Sequence, residues 1–357
     1  MKQLLAVLLA TAAITASAAI EYHDAASLPR LGSAAPDATE IYTRLPDSLQ
    51  GRVRDELWDL GQHSAGIAVR FRTSSPEIHA RWHNRIKFNM NHMTPTGIRG
   101  LDLYMLDADS TWSFVNSGRP SLAKATTETK IAGGFAPGVE REFMLYLPLY
   151  DGVDSLYIGI DSTATLLPPA VALPRAGKPV VMYGSSILQG GCATRPGMAH
   201  TNIMMRRLNR EVVNLGFSGN ARLDPEMASM MADIDAAVYV VDALPNCTAD
   251  IIDERAAEFV RILRSRRPDV PVLLVESPIF PLARYDAEVA ATLADKNRRL
   301  RQVYEALSPS DPNLYYFEGD DVLAGDTEGT VDNYHFTDGA FAAFAERLIP
   351  VINSMSK

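Results

Sequence analysis

From Ala65 to about Asp161 apolar residues recur at every second position, as in Ile67, Val69 and Phe71 and again in Ile78, Ala80 and Trp82, with Arg70, Arg72, His79 and Arg81 between them. Period two is the spacing of a strand that buries one face and wets the other. The segments Leu101 to Leu106, Phe143 to Leu149 and Leu156 to Ile160 are further short strands, separated by Gly, Pro and Asp clusters. Helical periodicity is nearly absent, so the pattern predicts an antiparallel sandwich over residues 20–165. A proline-rich stretch, Leu166-Leu167-Pro168-Pro169 through Pro174, reads as a semi-rigid linker over 166–178.

Beyond the linker the pattern changes. Short apolar runs at Val180 to Tyr183, Val212 to Leu215, Ala236 to Val241, Val270 to Val275 and Leu314 to Phe317 alternate with amphipathic stretches such as Asp253 to Arg264 and Ala287 to Leu307. Strands alternating with helices specify a parallel sheet covered on both faces, here over 179–357. In such sheets reactive groups gather beyond the carboxyl ends of the strands.

Composition narrows the picture. With 357 residues and 47% apolar side chains the chain can bury two ordinary cores. A net charge of −9 without a dense Lys/Arg run argues against nucleic acid and anionic membrane surfaces as partners. Met1-Lys2-Gln3, the apolar Leu4 to Ala10 and the small residues through Ala18 have the form of a secretory signal over 1–19, which places the mature chain outside the cytoplasm. No cysteine follows the cleavage region to carry a lipid. The two cysteines, Cys192 and Cys247, are too few for a disulfide scaffold or a multi-cysteine zinc site, and their pairing depends on Cβ separation.

Candidate chemistry follows the strand ends. Gly184-Ser185-Ser186-Ile187 is a strand-to-helix turn of the kind that exposes a serine hydroxyl above a helix amino end, although Gly-Ser-Ser also describes ordinary turns. In Asn214-Leu215-Gly216-Phe217-Ser218-Gly219-Asn220 a glycine can bring its backbone N–H against a ligand. In Asp242-Ala243-Leu244-Pro245-Asn246 an asparagine amide can donate into the same crevice, or simply close an Asx-turn. Asp332-Asn333-Tyr334-His335 spaces a carboxylate to reach Nδ1 of an imidazole, leaving Nε2 for a serine proton. Each is weak alone. Together they supply a nucleophile, oxyanion donors, a base and its orienter at one sheet edge.

At these residues the chain resembles the SGNH, or GDSL-type, serine hydrolases. Their Gly-Asp-Ser-Leu block reads Gly184-Ser185-Ser186-Ile187 here, which makes Ser186 the nucleophile. The block glycine matches Gly219, the oxyanion asparagine matches Asn246, and the closing Asp-x-x-His matches Asp332 and His335. Leu244-Pro245-Asn246-Cys247 departs from the usual Gly-x-Asn-Asp. Gly100-Leu101-Asp102-Leu103-Tyr104 is similar to the Gly-x-Asp-Leu-Tyr signature of a β-rich domain that precedes a subset of these enzymes. The resemblance implies a three-layer, doubly wound α/β hydrolase domain behind a jelly-roll-like sandwich. It also implies no cofactor and no metal, and activity on esters, often acetyl groups on polysaccharide. Rival readings are a lipase or thioesterase for longer acyl chains, and a glycan-binding protein with an inert hydrolase domain. Arg195 is a candidate substrate contact or a surface charge, and a metal set of His79, His83, His92 and Asp102 fits less well than a solvated strand face.

Overall fold

The computed structural model describes residues 19–35, 38–172, 177–319, 322–323 and 327–355; the expected signal segment and the centre of the expected linker lie outside them. Among the described residues no helix is long and apolar enough to cross a membrane.

The N-terminal domain is built from two antiparallel sheets. One runs β1 (Ile20–Asp24), β9 (Val153–Asp161), β4 (Glu77–Asn84), β7 (Thr126–Gly133); the other runs β2 (Arg30–Leu31), β3 (Ala68–Thr73), β8 (Arg141–Tyr146), β5 (Leu101–Leu106), β6 (Trp112–Gly118). The alternating apolar residues meet between them, where Ile67, Val69 and Phe71 face Ile78, Ala80, Trp82, Ile158 and Ile160. Short helices α1 (Asp55–Gly61) and α2 (Pro95–Arg99) interrupt the strands.

The C-terminal domain holds five parallel strands in the order β11 (Val212–Gly216), β10 (Val180–Gly184), β12 (Val238–Asp242), β13 (Val272–Val275), β14 (Leu314–Phe317). Alternate strand residues feed two cores. Val180, Met182, Val240 and Leu273 pack with α4 (His200–Leu208) and α8 (Asp338–Met355). Val181, Tyr183, Val241 and Leu274 pack with α5 (Pro225–Asp233) and α6 (Ala249–Arg266). The helix α7 (Ala287–Leu307) covers the sheet beside β14, and the layers number three.

Two departures from the sequence pattern bear on the site. The expected wet face of β3 is dry: Arg70 is 3% exposed, lies over the Trp112 ring and donates to the Val171 carbonyl. Ala68, Met144, Tyr146 and Tyr104 on that side belong to the core of the C-terminal domain, so period two marked a two-sided strand. Leu45, Leu49, Val53 and Leu57, from the segment between β2 and β3, likewise pack on the parallel sheet. The stretch expected to be a linker starts bonded to the sandwich, with Leu167 bridged to Arg72.

Burial also makes the fold acid-sensitive. His200 stacks on Phe341, and burial lowers its pKa to about 3; His63 is lowered to about 3 by burial and by the nearby Arg44 charge. Such histidines refuse a proton that the unfolded chain accepts near pH 6.5, so stability is full above that pH and falls below it, by about 1.4 kcal/mol per pH unit per group, until about pH 3. Urea unfolding at pH 7 and pH 5 should show this loss, and His200→Leu should reduce it by about 2 kcal/mol.

Candidate active site

Three loops beyond the carboxyl ends of the parallel strands, together with the loop before α8, converge on one edge. After β10, Ser185 caps the four-residue helix α3 (Ser186–Gln189), its Oγ accepting from Ile187 N–H, and Ser186 stands in the first turn. Helix α3 presses directly on the end of β11, where a Cβ on Gly216 would lie 2.2 Å from the Gln189 nitrogen, so glycine is required there.

Ser186, His335 and Asp332 form one hydrogen-bonded chain. His335 Nε2 lies 2.9 Å from Ser186 Oγ, and His335 Nδ1 lies 2.8 Å from Asp332 Oδ2. The other carboxylate oxygen, Oδ1, accepts the backbone N–H of His335 at 2.8 Å and of Tyr334 at 3.1 Å. Partial burial works to raise the Asp332 pKa, but the imidazole and these backbone donors outweigh it and hold the carboxyl below the ordinary range. Asp332 is therefore an anion that holds the ring by Nδ1–H and leaves the Nε2 lone pair facing the serine.

Three candidate donors lie on the loops of this edge. Ser186 N–H is in the first turn of α3, with no carbonyl of its own helix to bond. Gly219 is exposed at φ +69, a left-handed conformation that glycine adopts without strain, and the space around it is open. The Asn246 Oδ1 accepts Ala221 N–H at 3.2 Å, which turns the amide so that its NH₂ is the end left to donate. Tyr334 OH, bonded to the Pro245 carbonyl at 2.8 Å, ties the histidine loop to the asparagine loop.

The glycine loop is braced by residues that carry no motif. Gln189 Oε1 accepts Ser218 N–H at 3.0 Å while its Nε2 is held by the Leu149 carbonyl and His63 Nδ1. Arg44 is fully buried and donates to four backbone carbonyls, those of His63, Leu60, Asn214 and Gly216. Arg54 bonds Asn220 and Asp224 on the far side of the loop. Sequence reasoning missed all three, because a buried arginine that binds carbonyls has no spacing signature; only the position of Gln189, three residues past Ser186, offered a hint.

Arg195 bonds to the N-terminal domain. Its Nη1 lies 2.8 Å from both Asp102 Oδ2 and Tyr104 OH, and its guanidinium stacks 3.7 Å from the Phe114 ring centroid. Asp102 also accepts Gly197 N–H and Ser117 Oγ–H. The Gly-Leu-Asp-Leu-Tyr segment thus puts Leu101 and Leu103 in the sandwich core and uses Asp102 and Tyr104 to lock the loop that follows α3. The set His79, His83, His92 and Asp102 does not assemble: His79 meets Glu77, His83 meets Thr126, and Asp102 is taken by Arg195. Cys192 and Cys247 are both free and buried.

Residues 177–353 match the GDSL-like Lipase/Acylhydrolase family, and residues 20–166 match the N-terminal domain of SGNH-hydrolase-type esterases. No curated protein matches the chain. Among solved structures, a chain assigned as a GDSL-like lipase from Bacteroides ovatus is 33% identical, with a TM-score of 0.89 over 94% of this chain and 98% of that one. The salicylyl-acyltransferase SsfX3 of a tetracycline biosynthetic pathway is 19% identical, with a TM-score of 0.76 over 94% and 98%. A family two carbohydrate esterase from Clostridium thermocellum, in complex with cellohexaose, is 14% identical, with a TM-score of 0.59 over 81% and 92%. At their identity the last two share the fold. The strand-end site on a three-layer sheet, the signature domain before it and the close similarity to the B. ovatus chain agree: this protein belongs to the GDSL-like lipase/acylhydrolase family of SGNH-type hydrolases and is an ester-hydrolysing enzyme.

Proposed function

We propose that the chain is an exported serine esterase that removes short acyl groups, acetyl above all, from carbohydrate. The observation that carries the serine mechanism is the unbroken hydrogen-bonded chain from Ser186 Oγ through His335 to Asp332. As Oγ attacks the ester carbonyl, Nε2 takes its proton, and Asp332 stabilises the imidazolium. The tetrahedral oxyanion is held by Ser186 N–H, Gly219 N–H and the Asn246 amide. His335 then protonates the leaving alcohol, and water, deprotonated by the same nitrogen, releases the acid from the acyl-enzyme.

The carbohydrate part draws on the fold shared with family two carbohydrate esterases, one of them bound to cellohexaose. Export draws on the form of residues 1–19. A second reading, longer acyl chains, is favoured by one feature: a cavity of about 360 Å³ walled by Phe280, Leu282, Val289 and Leu293 beside Tyr334, the neighbour of His335. A panel of p-nitrophenyl esters from acetyl to long chain, with acetylated polysaccharides, separates the two. The proposal expects kcat/KM highest for acetyl, with acetate released from polysaccharide; a maximum at long chains would transfer the assignment to the cavity.

Replacing Asn246 by Ala removes one oxyanion donor and should lower kcat about 10²- to 10³-fold. Equal melting temperatures of variant and parent would show that the loss is chemical. Near-normal turnover would remove Asn246 from the mechanism.

A further inference from the structure

His92, Cys192, Asp332 and His335 each offer one metal-ligating atom, and these four atoms lie within 4.8 Å of one another. They come from separate parts of the chain: His92 from the segment between β4 and α2, Cys192 from the loop after α3, and the other two from the loop before α8. A tetrahedral Zn²⁺, with N at about 2.0 Å and S at about 2.3 Å, spaces its ligand atoms by roughly 3.3–3.8 Å. Closing the cluster on such an ion takes a shift of about 1 Å, within reach of the exposed His92 side chain.

His92 and Cys192 are the members that the triad does not already use. His92 Nδ1 is 2.9 Å from Asn91 Oδ1, which keeps the proton on Nδ1 and leaves Nε2 as a lone-pair nitrogen, the arrangement usual for metal-bound imidazole. Its ring centroid stands 5.7 Å from that of His335. Cys192 has no disulfide partner, and its backbone sits at φ +71, where non-glycine residues are strained. Burial, with Asp332 nearby, pushes its thiol up to about 12, so without a metal it remains protonated and takes no part as a nucleophile.

We propose that these four residues form an inhibitory site for a thiophilic divalent cation of the Zn²⁺ class, closing across the triad. Binding is a ligand exchange without redox: the Cys192 thiol releases its proton to solvent as the S–metal bond forms, the His335 ring proton passes from Nδ1 to Nε2, and Nδ1, the His92 imidazole and the Asp332 carboxylate give lone pairs. An imidazole held by the ion no longer accepts the Ser186 proton, so turnover stops until the ion leaves. The sulfur and nitrogen ligands select against Mg²⁺ and Ca²⁺, which take oxygen. The inhibitory consequence rests on the triad mechanism above, whereas the binding itself does not.

The test uses the full chain freed of metal by a chelator. Zn²⁺ is titrated into a p-nitrophenyl acetate assay, and Co²⁺ is titrated separately while the near-ultraviolet thiolate-to-cobalt absorption is followed. The expected result is inhibition by Zn²⁺ that a chelator reverses and Mg²⁺ does not reproduce, with a cobalt–thiolate band in the absence of substrate. Each variant is compared with its own metal-free rate: His92→Ala should raise the inhibition constant more than about tenfold, and Cys192→Ala should abolish the band. Inhibition of equal strength in the parent and in His92→Ala, or a parent without the band, overturns the proposal. A failure of the esterase mechanism would show instead as absent turnover with the band intact. Should Cys192→Ala not fold, the exposed His92→Ala still decides.

Discussion

Ser186→Ala should abolish ester hydrolysis, lowering kcat by about 10⁶-fold, to the level that binding and the oxyanion donors alone sustain. The hydroxyl contributes one bond, to His335 Nε2, whereas the helix that carries it is capped by Ser185 and held through the Ser186 carbonyl by Gly190 N–H, Gly191 N–H and Tyr150 OH. The substitution removes the nucleophile and leaves those contacts in place, so melting should shift little. Initial rates on p-nitrophenyl acetate and a thermal melt of the same sample make the check. A variant that keeps a tenth of the parent's rate would transfer the nucleophile to another residue.

Asp332→Asn is the second large effect, about 10⁴-fold in kcat with KM little changed. The reason lies in the backbone of the loop. Oδ1 of Asp332 accepts N–H groups from Tyr334 and His335, so an asparagine in its place must keep its carbonyl oxygen toward them and turn its NH₂ to the ring. That NH₂ donates to Nδ1, the ring proton moves to Nε2, and the nitrogen facing Ser186 no longer accepts. Side-chain volume is preserved, so the loss measures tautomer control rather than packing. Turnover close to the parent's would show that the backbone donors alone set the ring.

The parallel sheet was legible because its strands are short apolar runs flanked by long amphipathic segments, and Ala287 to Leu307 forms a helix with the limits that the pattern predicts. Ser186, Gly219 and Asn246 were picked out because each stands within four residues of a strand end, whereas Asp332 and His335, in the loop before α8, were picked out by their spacing. The sandwich was harder. Residues 112–118 and 126–133 form strands of mixed, partly exposed residues with little alternation to find. On β3 the alternation was real but its meaning was not: Arg70 is a polar residue on a face that another domain covers, and its charge is met by Glu142 and a carbonyl.

Local pattern thus determined the element types and the order of strands and helices in the C-terminal half, and it pointed to five candidate residues in the loops between them, since period and turn chemistry act over a few residues. Tertiary structure decided what distant segments supply to one another: Arg44 on the carbonyls of Asn214 and Gly216, Gln189 on the Ser218 amide, and Arg195 on Asp102. Those bonds join residues up to 172 positions apart in the chain, and a hydrogen bond to a backbone carbonyl asks nothing of the identity of the residue that accepts it. No spacing along the sequence therefore records them, and only the folded geometry shows that Arg44 and Arg54 of the N-terminal domain bond the strand and loop on either side of Gly219.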